Sequence, residues 1–210
     1  MVATAHSVAP RPINGPTAGD VPISDLSNDS IIIRLHFAVN HLSRWLTPIH
    51  NTERLDRAVY RNEPSIKELL IGMRQDERTI YPKFHLIVAQ NNPNLDLLPA
   101  QVITPEQARI DAERSALSVL AEFRRLRQAT CSLLRSLTDS GWNRVGTSRV
   151  DHDWQIRSLA EFLVAQDEDS LTAIDIALDR YGLRADMAAH GRARYFELLK
   201  LIPVTRRTRR

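Results

Sequence analysis

The chain holds a single cysteine, Cys131. No internal disulfide can form, which fits a reducing compartment. Glycine is scarce, with 7 residues among 210, and strongly alternating strand patterns are absent. Long amphipathic segments rich in Leu, Ala, Arg and Glu dominate instead, and they predict an all-α protein. No apolar run approaches the ~18 residues that a membrane span needs. The opening MVATAHSVAPRPINGP has neither a basic n-region nor an apolar h-region. A secretory signal is therefore not expected, and a cytoplasmic protein with no membrane partner is. Phosphate-cradling glycine loops, Ser/His/Asp patterns and Cys-x-x-Cys motifs are also missing. Lysine occurs only at Lys67, Lys83 and Lys200, an arginine bias that points to a GC-rich bacterial genome.

The formal charge of +3 overstates how basic the protein is. Arg206, Arg207, Arg209 and Arg210 crowd the last five residues, and without those four the +3 becomes −1. Such a tail is a candidate contact for nucleic acid or another anionic surface. A solvated chain end is the simpler reading, and nucleic acid is not the expected partner. Arg114, Arg124, Arg125 and Arg135 read as a solvated helix face, because no aromatic residues interleave with them.

The chain divides into a Pro/Gly-rich flexible segment (1–26), a helical bundle (27–183), a C-terminal helix (184–203) and the basic tail (204–210). The first helix is expected from Ser30 to Ile49, with Ile31, Leu35, Ala38, Leu42 and Trp45 on its inner face. His36 and His41 read as surface or stripe-edge histidines. A second helix opens at the capping box Ser65-x-x-Glu68 and runs past Pro82. A third is expected from Thr104-Pro105 through Leu137 as one element, ending near Gly141. A loop follows to Asp153. Ser158-x-x-Glu161 is expected to open the fourth helix, and Gly182 to close it. A terminal helix is expected from Ala185 to Leu201. Four long helices with long connections make a four-helix bundle. Cys131, mid-helix, reads as a structural thiol.

The fourth helix carries the feature most relevant to function. Its apolar stripe, Leu159, Leu163, Ile174 and Leu178, continues through Gln166 and Ser170, which share one face. Asp167, Glu168 and Asp169 read as a solvated acidic face. Asp167 and Asp169, together with Asp76 and Glu77, offer an alternative, a carboxylate pocket for a hard cation such as magnesium.

Two segments resemble a known family. SIKELLIGMRQDE (Ser65 to Glu77) is similar to the second-helix motif of the DinB/YfiT-like superfamily, and QDEDSLTAI (Gln166 to Ile174) resembles its fourth-helix motif. The resemblance covers roughly Ser30 to Leu183 and implies a DinB-like bundle. Homodimers through helix faces are common in the family. It also implies three histidines around a divalent metal, one from the second helix and two from the fourth, and thiol-dependent transfer chemistry in known members. Here Gly72, Gln166 and Ser170 stand at those three positions, with Asp76 one turn from Gly72. No metal or cofactor is expected unless an alternative site exists. A non-catalytic member that binds a small ligand or a protein is the favoured expectation. A thiol-dependent transferase or isomerase with a rearranged site is the second.

Overall fold

The computed structural model describes residues 16–187 and 192–207. Its helices are α1 (Asn28–Leu46), α2 (Glu53–Asp56), α3 (Ile66–Ala89), α4 (Pro105–Glu113), α5 (Ala116–Arg135), α6 (Asp139–Trp142), α7 (Ile156–Arg180) and α8 (Tyr195–Leu199). Between α6 and α7 a two-stranded antiparallel ribbon pairs β1 (Val145–Gly146) with β2 (Trp154–Gln155). The protein is a four-helix bundle, as the apolar stripes predict. No described helix is long and apolar enough to cross a membrane.

Four long helices, α1, α3, α5 and α7, form the bundle. α1 packs against α5 and α7, and α3 packs against the same two. The successive long helices α1 and α3 therefore sit at opposite corners, as do α5 and α7. The long connections 47–65 and 136–155 span these diagonals. Three of the four long helices, α1, α3 and α5, begin at a side-chain cap. Ser27 accepts from Ser30 N at 3.2 Å to start α1. Ser65 and Glu68 form the expected capping box of α3, with bonds of 3.1 and 2.7 Å. Two acceptors fix the start of α5: Ser115 takes Ser118 N, and Asp56 of α2 takes Ala116 N at 2.7 Å. Such caps are each worth about 1 kcal/mol.

The structure corrects several expected boundaries. The expected third helix is two, α4 and α5, separated at Arg114 and Ser115, because Ser115 caps a new helix. The fourth opens earlier than its Ser158 box, at Ile156, and Glu161 pairs with Arg157 instead of capping. Gly182 closes it in the left-handed conformation, φ 64°. Beyond it lies a 3-10 turn (Leu183–Asp186) and the short α8, in place of one long terminal helix.

The expected flexible lead-in is partly built into the fold. Ala18, Val21 and Leu26 are buried. Residues 16–27 pair with residues 202–207 through isolated bridges: Ala18 N donates to Ile202 O at 2.9 Å, Ser27 N to Thr205 O at 2.8 Å and Arg207 N to Asp25 O at 2.7 Å. The two chain ends thus close the bundle together.

Candidate functional site

Charged side chains occupy core positions at the centre of the bundle. Arg127 of α5, Glu77 of α3 and Asp167 of α7 are all buried. Arg127 donates from Nε to Glu77, from Nη1 to Asp167 and to Leu35 O of α1 at 3.2 Å, and from Nη2 to Asp167 at 3.0 Å. Thr130 Oγ1 donates to the other Glu77 oxygen at 2.5 Å. One guanidinium therefore joins all four long helices. Burial pushes the Asp167 carboxyl above the usual carboxylate range, against the pull of Arg127. Burial opposes the charge of Arg127 as well, but Asp167 and Glu77 outweigh it, and the guanidinium stays protonated.

This overturns the solvated reading of the acidic run. Asp167 is 5% exposed, Glu168 is half-buried and ion-paired to Arg34, and only Asp169 is exposed. The helical phase is also corrected. Leu163, Asp167, Leu171 and Ile174 form the inward line, and Gln166 and Ser170 lie half-buried beside it. His41 is likewise interior, 3% exposed, stacked on Phe37 and edge-on to Trp45. Burial, then Arg44 and Arg184, lower its pKa to about 4. Burial pushes the Cys131 thiol up to about 12, so it is an inert core group.

Gln166 and Ser170 border the seam between α7 and α3. Two contacts further along fix which faces meet there. Lys83 of α3 lies 5.3 Å from the centre of the Trp154 ring, which packs edge-on against Phe162 of α7 at 5.9 Å. Residues 72, 76 and 83 share one face of α3, and 162, 166, 170 and 173 share one face of α7. Gly72 and Asp76 therefore stand opposite Gln166 and Ser170. Gly72 is exposed, and a Cβ added there would meet no atom within 4 Å. Asp76, Gln166 and Ser170 are half-buried, and none has a hydrogen-bond partner among the described residues. Burial and the nearby Asp167 charge raise the Asp76 carboxyl to about 6. The four positions singled out in the sequence thus share one seam.

The other candidates lie apart. Arg206 and Arg207 are exposed at the end of the bundle where α1 and α7 begin. They line a cavity of about 950 Å³ with Asn28, Asp29, Asp139 and Arg157. Three aspartates (Asp25, Asp29, Asp139) and three arginines (Arg157, Arg206, Arg207) line it, so no single sign of charge dominates. Arg209 and Arg210 fall outside the described residues.

The seam does not fit the three-histidine metal centre that the family resemblance implies. Gly72 offers no donor, and Gln166 and Ser170 offer neutral oxygens, poorly matched to zinc or nickel. Among the described residues no group of three or more His, Cys, Asp or Glu side chains is disposed to hold a metal ion.

No protein-family model matches the sequence, and comparison with curated proteins finds no match either. Solved structures do match. One is Bacillus subtilis YfiT, described as a probable metal-dependent hydrolase with an unusual four-helix bundle topology. It aligns with a TM-score of 0.61 at 17% identity, over 77% of this chain and 99% of that one. Another is a mutant of the mycothiol-dependent maleylpyruvate isomerase, with a TM-score of 0.49 at 11% identity, over 76% of this chain and 62% of that one. The likeness to YfiT, with helices crossed in the bundle as described above, gives this chain the DinB/YfiT-like fold.

Proposed function

We propose that this protein is a non-catalytic DinB-like bundle that binds a small polar ligand at the α3–α7 seam without a metal centre. The observation that carries this reading is the set of three half-buried polar side chains there, Asp76, Gln166 and Ser170, with no hydrogen-bond partner among the described residues. The Gln166 amide donates and accepts, the Ser170 hydroxyl does both, and Gly72 leaves room beside them. A bound ligand would supply the hydrogen bonds that the protein does not give these groups among its described residues. Amide NMR with a set of polar fragments tests it. Shifts should gather on residues 70–77 and 164–173 and vanish in Gln166→Leu. Shifts elsewhere, or shifts that survive the substitution, would reject the reading.

A second reading rests on Asp76. A carboxyl that titrates near 6 suits proton transfer close to neutral pH. A thiol-dependent transferase with a rearranged site would use it. Turnover with a thiol co-substrate, lost in Asp76→Asn, would favour that reading over simple binding.

A further inference from the structure

A second cavity lies between α3 and α4. It measures about 500 Å³, a size that suits a small molecule. Lys67, Glu68 and Ile71 of α3 form one wall and Ala108, Asp111 and Ala112 of α4 the other. Asp56, Ala58 and Ile103 complete it.

Every charged group in this wall is already engaged inside the protein. Asp111 takes both terminal N–H groups of buried Arg74 at 2.6 Å each. Lys67 Nζ donates to Ala112 O and Arg114 O at 3.0 and 2.9 Å, closing the end of α4. Glu68 accepts from Ser65 N, and Asp56 from Ala116 N, both at 2.7 Å. These groups hold three helix ends and the α3–α4 packing. An anionic ligand would have to take Lys67 away from the carbonyls at the end of α4. Ala58, Ile71, Ile103, Ala108 and Ala112 remain as a wall without hydrogen-bonding side chains. The mouth of the cavity is apolar too: Ala58, Ile103, Ala108 and Ala112 of the wall are themselves exposed. Contiguous exposed apolar surface around a cavity marks a binding site more often than bare scaffold.

We propose that this cavity binds an uncharged, apolar small molecule. An anion would face three carboxylates and a single ammonium, Lys67. A cation would find Asp111 neutralised by Arg74 and Glu68 open to water, where an ion pair adds little affinity. An apolar molecule needs no new partner and gains from leaving water.

Fluorescence titration with N-phenylnaphthylamine, a neutral probe, tests this, with its sulfonated analogue anilinonaphthalene sulfonate as the charged control. One saturable site is expected, with the sulfonate at least about tenfold weaker. Ala108→Trp fills the cavity and should abolish binding. Ile103→Asp does so from an exposed position that cannot unfold the bundle. Gln166→Leu at the seam should leave the affinity unchanged. Equal binding of the sulfonate, binding that survives both cavity variants, or loss in Gln166→Leu would overturn the proposal. So would failure to saturate, which would leave the groove to the apolar side chain of a protein partner.

Discussion

Asp167, one residue beyond Gln166, takes both terminal nitrogens of Arg127 from across the bundle. The same guanidinium reaches Glu77, the residue after Asp76. The α3–α7 pair is thus tied by a cation that belongs to the chain. The groups on the outer side of the seam stay free for other use.

Loss of that cation should be costly. Arg127→Met leaves Glu77 and Asp167 buried without a counter-charge, a situation that costs about 3–5 kcal/mol. Urea denaturation should show that loss. Adding Glu77→Leu and Asp167→Leu to Arg127→Met should restore much of it. A loss below about 1 kcal/mol for Arg127→Met, the range of an exposed ion pair, would mean that the hub is solvated.

Two titrating groups pull stability in opposite directions with pH. His41 is neutral in the fold down to about 4, whereas the unfolded chain takes up its proton near 6.5. Between those values the unfolded state binds more protons, so stability falls as the pH falls, by at most about 3 kcal/mol. Asp76 holds its proton up to about 6, against 3.8 when unfolded. There the folded state binds more protons, so stability falls as the pH rises from 3.8 to 6 and does not recover above it. In thermal unfolding between pH 4.5 and 7.5, His41→Phe should flatten the loss on acidification, and Asp76→Asn should raise the melting temperature most at pH 7.5. Unchanged pH profiles in both would contradict these environments.

Two glycines should respond oppositely to alanine. A Cβ at Gly72 meets nothing within 4 Å, so Gly72→Ala should stabilise α3 by about 0.5–1 kcal/mol, the helix-interior difference between the two residues. At Gly146 in β1 the added carbon would lie 2.8 Å from Ile87 and Leu95 side-chain atoms. Gly146→Ala should therefore destabilise, by about 1–3 kcal/mol. Chemical denaturation of the pair checks both signs. A stabilised Gly146→Ala would show that the β1 packing is looser than described.

The helices were legible because apolar spacing reports them directly, as in Ile31, Leu35, Leu42 and Trp45 of α1, all buried. The capping box at Ser65 fixed the start of α3 for the same local reason. The hub was not legible. Arg127 follows Phe123 by four residues, Glu77 follows Met73 by four and Asp167 follows Leu163 by four, so each continues a core line. Charged residues at such positions normally face water, and only the partner on another helix reverses that. The signal available was Leu171, which sets the α7 phase on Asp167 and leaves Gln166 and Ser170 to one side. The break between α4 and α5 escaped notice because Asp56, sixty residues earlier, supplies part of the cap. The apolar stripe pointed to Gln166 and Ser170, whereas Gly72, with Asp76 one turn on, came only through the family resemblance.

Metal content is the most direct test of the central claim, that the seam has the fold's shape without its metal centre. Purified protein would be incubated with zinc or nickel, dialysed and assayed for bound metal, beside the triple variant Gly72→His, Gln166→His, Ser170→His. The account predicts metal far below one equivalent in the natural sequence and close to one in the variant, because these positions converge on one seam. Near-stoichiometric metal in the natural sequence would contradict it, and so would a correctly folded variant that binds none.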